Sequence, residues 1–263
     1  MQATYALSQT VVPTESAPHI DALITFRSET PSDMPPPARR ALNLSLVIDR
    51  SGSMAGRSLQ QAVRAAEALV DRMGTDDVLS IVTYDDKVDT LLAPQNVTDK
   101  GAIKALLGRI RAGGTTNLSG GWLAGCEHVA ARHTTETISR VLLLTDGQAN
   151  VGVTDPKVLI KTARQKSDDG IVTTTLGFGS HFNEDLLIGM AQAAGGNFYF
   201  IQSPDDAADV FRIEVESLAS VVGQNLTVTL TPQSGAKLGD LLSAYRSEAH
   251  GGALVVSAGD LYA

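Results

Sequence analysis

Between Leu42 and Ile201 the chain alternates short apolar, β-branched runs with longer segments whose apolar positions recur every three or four residues. Leu42 to Asp49 (LNLSLVID) predicts a strand that ends in polar and glycine residues. Ser58 to Met73 predicts a helix, because Leu59, Val63, Ala66, Leu69, Val70 and Met73 share one face and Gly74 supplies the stop. The same reading gives strands at Val78 to Tyr84, Lys87 to Leu92, Arg140 to Thr145, Ile171 to Leu176 and Phe198 to Ile201. It gives helices at Lys100 to Ile110, Ser119 to Arg132, Pro156 to Ser167, Glu184 to Ala194 and Ser203 to about Val222. Asp155 and Pro156 suit the cap and first turn of their helix. RVLLLT, ending at Thr145, is apolar enough for a strand buried on both faces.

Strands alternating with helices of this length imply an α/β fold, a doubly wound and mostly parallel sheet with helices on both faces, over residues 42–222. The ends break the rhythm. Residues 1–41 hold β-like runs at Thr4 to Val12 and Ile20 to Ser28, then a proline-rich linker between Thr30 and Pro37. Residues 223–263 hold Asn225 to Leu230, which alternates strictly, and Ala253 to Ser257. These strands are expected to pair across the two termini into a small β-sandwich. The last residues, Gly259 to Ala263, carry no polar tail, which reads as a fragment of a longer chain.

Composition narrows the function more than the fold. With 43% hydrophobic and 19% charged residues the chain is expected to be an ordinary globular protein. A net charge of −8 argues against a nucleic-acid partner, which needs a basic face. The single cysteine, Cys126, excludes an intrachain disulfide and a cysteine-based zinc cluster. No N-terminal run resembles a signal peptide and none is long enough to span a bilayer, so the expected location is the cytoplasm.

Three segments carry the chemistry, and each falls beside a predicted strand end or helix start. Asp49-Arg50-Ser51-Gly52-Ser53 follows the first core strand, Gly113-Gly114-Thr115-Thr116-Asn117 precedes a helix, and Thr145-Asp146-Gly147 follows the fourth core strand. In open α/β sheets ligands collect at the carboxyl ends of the strands, where the order reverses. Two carboxylates and several hydroxyls would meet there, with no imidazole or thiolate. Such hard oxygen donors suit magnesium, manganese or calcium and argue against zinc or copper. Gly52 is expected to allow the tight turn, and Gly113 and Gly114 the close approach of a threonine, Thr115 or Thr116.

Other chemistry fares worse. The histidines at 19, 128, 133, 181 and 250 have no ligand spacing, and Asp76-Asp77 and Asp85-Asp86 read as turns. Gly177-Phe178-Gly179 lacks the third glycine of a dinucleotide fingerprint. The rival function is a magnesium-dependent hydrolase or phosphoryl-transfer enzyme. It would want a second acid near the turn, where Ser51 stands, and a lysine, where only Arg50 and Arg57 are near.

DRSGSM (Asp49 to Met54), GGTTNLSGG (Gly113 to Gly121) and LLLTDGQAN (Leu142 to Asn150) together resemble the von Willebrand factor A family, of the bacterial type. The resemblance covers about Leu42 to Val222, including the late GGNFYFI run. It implies a metal-ion-dependent adhesion site in which Ser51 and Ser53 ligate the ion directly, Thr116 directly or through water, and Asp49 and Asp146 partly through water. The family spacing to Gly121 favours Thr116 over Thr115. The resemblance also implies a non-enzymatic module whose ion takes an Asp or Glu carboxylate from a partner protein. Specificity would then lie in the loops Met54 to Leu59, Asp85 to Lys87, Asn150 to Asp155 and Ser180 to Asn183.

Overall fold

The computed structural model describes residues 2–9, 19–27, 39–179, 182–202, 204–233, 236–243 and 245–262. They form two compact units, one of residues 39–219 and one drawn from both termini, 1–38 and 220–263. In the terminal unit β1 (Gln2–Leu7) pairs antiparallel with β2 (Ala22–Arg27).

The larger unit is a six-stranded sheet. Its strands are β3 (Leu42–Asp49), β4 (Val78–Tyr84), β5 (Val88–Asn96), β6 (Ile138–Thr145), β7 (Val172–Phe178) and β8 (Phe198–Ile201). The order is β5-β4-β3-β6-β7-β8, and every pairing is parallel except β4 with β5. The helices are α1 (Arg57–Arg72), α2 (Lys100–Leu107), α3 (Leu118–Ala130), α4 (Pro156–Asp168), α5 (Glu184–Ala193) and α6 (Pro204–Ala219). Residues of α3, α4 and α5 share one apolar cluster with Val47, Val82, Val141 and Leu143, while α1 packs against α6. The sheet is therefore doubly wound, as expected. β3 and β6 are buried along their whole length, which their near-continuous apolar runs require. Among the described residues no helix is long and apolar enough to cross a membrane.

Helix α3 lies unusually close to the sheet because glycines face it. A Cβ on Gly121 would stand 2.3 Å from the Tyr84 ring, and one on Gly125 would stand 2.3 Å from Val47 Cγ2. Its start is fixed by Asn117, whose side chain accepts from Gly120 N–H.

Several boundaries differ from expectation for local reasons. β5 runs on past Leu92 to Asn96 and includes Pro94, which an edge strand tolerates because one row of its N–H groups needs no partner. α2 stops at Leu107. α6 ends at Ala219, and Val221 already begins β9 (Val221–Leu230). β9 joins β11 (Ala253–Tyr262), which also pairs with β10 (Arg246–His250), all antiparallel. Among the described residues the strands of each terminus pair with one another and not across the termini. Thr10 to Val12, Ser28 and the proline-rich stretch from Thr30 to Pro37 lie outside the described residues.

Two ion pairs tie the larger unit together, one reaching its surface and one fully buried. Arg39 grips Asp77 through both guanidinium ends, at 2.9 and 2.8 Å, and Asp77 also accepts from Leu42 and Gly74 N–H. Arg140 of β6 meets Glu214 of α6 at 3.1 Å with side chains 1% and 2% exposed. Thr174, Asn197 and Tyr199 each donate to the same Glu214 carboxylate.

Candidate metal centre

β3 and β6 are the adjacent strands from which the chain departs to opposite sides, so the crevice at their carboxyl ends is the switch point. Asp49 is the last residue of β3 and is fully buried. Its Oδ1 accepts from Ser51 N–H at 2.8 Å, which folds the following turn back on the strand end. Its Oδ2 accepts from the Thr145 hydroxyl at 2.7 Å and from the Tyr84 hydroxyl at 3.3 Å. The turn then places Ser51 Oγ and Ser53 Oγ 3.2 Å apart, Ser51 buried and Ser53 exposed.

A web of backbone bonds draws the second loop to this turn. Arg50 N–H donates to Tyr84 C=O, Gly113 N–H to Arg50 C=O, and Gly52 N–H to Gly114 C=O. Arg50 also forms ion pairs with Asp85 at 3.2 Å and Asp89 at 2.7 Å, tying the turn to the β4–β5 hairpin. Asp85 C=O accepts from Asn117 N–H. The Asp85-Asp86 pair is a turn, as its sequence suggests, and it also buttresses the loop. Gly114 sits at φ +45°, where a Cβ would fall 2.0 Å from Asp86 Oδ1 and 3.0 Å from Asp85 Cβ. Gly52 has no left-handed backbone, and a Cβ there would make an ordinary 3.5 Å contact with Gly114 O, so the turn does not require its glycine. That corrects the sequence-based expectation.

Thr116 is 2% exposed, whereas Thr115 is exposed. Thr116 C=O accepts from Asn150 and Val151 N–H, and its own N–H donates to Asn150 Oδ1 at 2.9 Å. The threonine loop is thereby fastened to the loop that follows Asp146. Asp146 itself is 5% exposed, accepts from Gln148 N–H at Oδ1, and is held through its carbonyl by Asn183 N–H.

The electrostatics follow from burial. The Asp49 carboxyl is pushed up from its ordinary 3.8 to about 6, first by desolvation, against the bonds from Ser51 and Thr145, with the charge of Asp146 adding to the rise. Burial, then the charge of Asp49, raises the Tyr84 phenol well above its usual value. Two carboxylates are thus drawn out of water close enough to repel, and among the described residues no lysine or arginine forms an ion pair with either of them. Among the described residues no three His, Cys, Asp or Glu side chains gather as a metal site. The candidate set has only two carboxylates and otherwise offers hydroxyls.

That donor set fits a hard divalent cation. Adjacent ligands on an octahedron of radius about 2.1 Å stand about 3 Å apart, close to the Ser51–Ser53 separation. Reading the sequence missed Thr145, Tyr84 and Asn150, which orient Asp49 and Thr116 of the candidate set. Thr145 had a signal, a hydroxyl directly before Asp146 at the end of a buried strand. Tyr84 and Asn150 had none, since their roles depend on segments far away in the chain.

Residues 43–212 match the von Willebrand factor type A domain. The chain belongs to that family. An uncharacterised Synechocystis protein, sll0103, is 34% identical over 198 residues, which is 74% of this chain and 46% of that protein. The chain spans less than half the length of the curated relatives it matches first. Among solved structures, a von Willebrand factor type A protein from Catenulispora acidiphila superposes with a TM-score of 0.69 at 19% identity, covering 99% of this chain and 58% of that one. Proximal thread matrix protein 1 from the mussel byssus, described with a zinc-occupied MIDAS motif, gives 0.56 at 19% identity over 73% of this chain and 50% of that one.

Proposed function

We propose that this protein is a metal-dependent protein-binding module, with a divalent ion held by Asp49, Ser51, Ser53, Thr116 and Asp146 and one position left for a partner's Asp or Glu carboxylate. The observation that carries this reading is the burial of Asp49 beside Asp146 with no protein cation, next to two hydroxyls at ligand spacing. Ser51 and Ser53 would touch the ion. Thr116 is the better threonine, being buried and fastened to the Asp146 loop. Asp49 already accepts bonds on both oxygens, which suits a role through water, and Thr145 and Tyr84 hold its carboxylate in place.

The ion supplies an electrophilic centre that neutral hydroxyls leave only partly neutralised, so an incoming carboxylate binds strongly and directionally. Magnesium or manganese suits the oxygen donors best. Zinc in the mussel protein shows that such a motif in that protein can also hold a softer ion. A hydrolase has less support. The cation nearest the turn, Arg50, is committed to Asp85 and Asp89 rather than aimed at a phosphate.

The test is calorimetric titration of the chelator-stripped protein with Mg²⁺ and Mn²⁺, wild type against Asp49→Ala and Thr116→Ala. Binding by wild type that both variants lose supports the reading. No binding of either ion by wild type would sink it.

A further inference from the structure

We propose that the groove between α1 and the end of α2 is the second half of the same docking surface, and that its occupant is an extended acidic segment of the partner with an apolar residue between its carboxylates. This rests on the metal-dependent reading above and specifies the partner it leaves open. The groove encloses about 530 Å³, within the range of sites that hold a few side chains. Its floor is apolar, with Leu59 and Val63 of α1 facing Leu107 and Ile110, and Arg64 and Arg111 stand on its rim.

Two observations say what covers it. The first is continuity with the metal centre. Gly56 and Ala112 line the groove, and they lie three residues after Ser53 and one before Gly113 in the loops that present the ligands. A segment delivering a carboxylate to the ion would lie along the groove. The second is charge. The protein carries −8 overall, yet residues 56–67 and 107–112 contain Arg57, Arg64, Arg109 and Arg111 against Glu67 alone. These four arginines are exposed. Arg64 makes no ion pair among the described residues, and Arg111 donates only to the carbonyls of Gly108 and Ile110, leaving its charge without a carboxylate. Further along, Lys104 is neutralised by Asp71. The cationic strip therefore begins beside the ion and ends where α1 meets that pair. On an acidic molecule such a strip steers and orients an acidic chain.

The length is set by α1. Gly56 to Glu67 is about 16 Å at about 1.5 Å per helical residue. An extended peptide covers that in about five residues. The recognised segment is thus an Asp or Glu for the ion followed or preceded, within about five residues, by an apolar residue flanked by acids.

Three fluorescein-labelled peptides test this, DSELE, DSQLQ and DSKLK in a Gly-Ser frame, each also in reversed order, by anisotropy in Mn²⁺ and in EDTA. The acidic peptide should bind in Mn²⁺ about tenfold tighter than the basic one, and weakly in EDTA. Arg64→Glu on the exposed face of α1 should shrink that preference severalfold, since it removes two of the strip's three net positive charges. Gln60→Arg should tighten the acidic peptide about threefold, a gain that misfolding cannot produce. Equal binding of the three peptides, a preference undiminished by Arg64→Glu, no metal-dependent binding of any, or groove-dependent binding that ignores EDTA would each overturn the proposal. Calorimetric Mn²⁺ titration of both variants separates this from the metal reading. Neither substitution touches a ligand, so Mn²⁺ affinity should stay at the wild-type value whatever the peptides do.

Discussion

Asp49 and Glu214 are two buried carboxylates in one domain with opposite fates. For both, burial is the largest influence and favours the neutral form. At Glu214, Arg140 and the donors Thr174, Asn197 and Tyr199 outweigh it and hold the carboxyl below its usual value. At Asp49 the hydrogen bonds do not suffice, Asp146 adds repulsion, and the carboxyl rises to about 6. One site contains its own cation and locks α6 to the sheet. The other has no cation of its own among the described residues, which is what the proposed ion would supply. The contrast separates a structural charge from a functional one better than burial alone.

The largest effect should come from breaking the internal pair. Arg140→Ala leaves Glu214 buried and uncompensated, and should lower unfolding free energy in urea by about 3–5 kcal/mol. Arg140→Met combined with Glu214→Leu should lose less than the single variant, since no unpaired charge remains. If the single substitution costs nothing, the pair is not the lock described here.

Next comes the pH dependence of the metal-free protein. Asp49 has a folded value raised above its unfolded one, so its contribution to stability is fully present below about 3.8 and lost as pH rises through about 6. The size is about 3 kcal/mol. Glu214 is lowered, so its contribution holds above its unfolded value of 4.5 and fades only as pH falls through its folded value. Between about pH 4.5 and 6 the metal-free protein should therefore gain stability on acidification. Saturating Mg²⁺ should raise stability at neutral pH and remove that gain, because the ion stabilises the ionised form. Asp49→Asn should remove both responses. Thermal melts across pH, with and without the ion, decide it.

The smallest effects test the loop. Gly114→Ala forces a side chain into left-handed backbone against Asp85 and Asp86, and should cost about 1–2 kcal/mol. Gly52→Ala meets only an ordinary contact and should change stability by less than about 0.5 kcal/mol. Equal effects at the two positions would mean that the loop does not hold the conformation described.

Much of the architecture was legible because the chemistry of the core is periodic. LNLSLVID and RVLLLT declare buried parallel strands by themselves, and Asp155-Pro156 declares a helix start. The ligand candidates were legible because they fall at strand ends, where α/β sheets place sites. What remained hidden was long-range. Nothing near Arg140 in sequence announces Glu214, 74 positions away, and nothing near Tyr84 announces that its hydroxyl will reach Asp49. The end of α6 was misjudged because Val221 and Val222 suit either a helix face or a strand, and pairing with β11 decides between them. Pairing across the two termini was expected from alternation alone, which marks strands without naming their neighbours.

Trp122 is the only tryptophan in the chain, and it is fully buried on α3 with its indole N–H donating to Thr173. It sits between Gly121, pressed on Tyr84, and Gly125, pressed on Val47, one turn beyond the loop that carries Thr116. The sequence thus has a single indole, separately excitable from its five tyrosines, coupled through rigid packing to the proposed ion site. A shift of that loop on ligation would alter the emission of one indole, so occupancy can be followed in unlabelled protein.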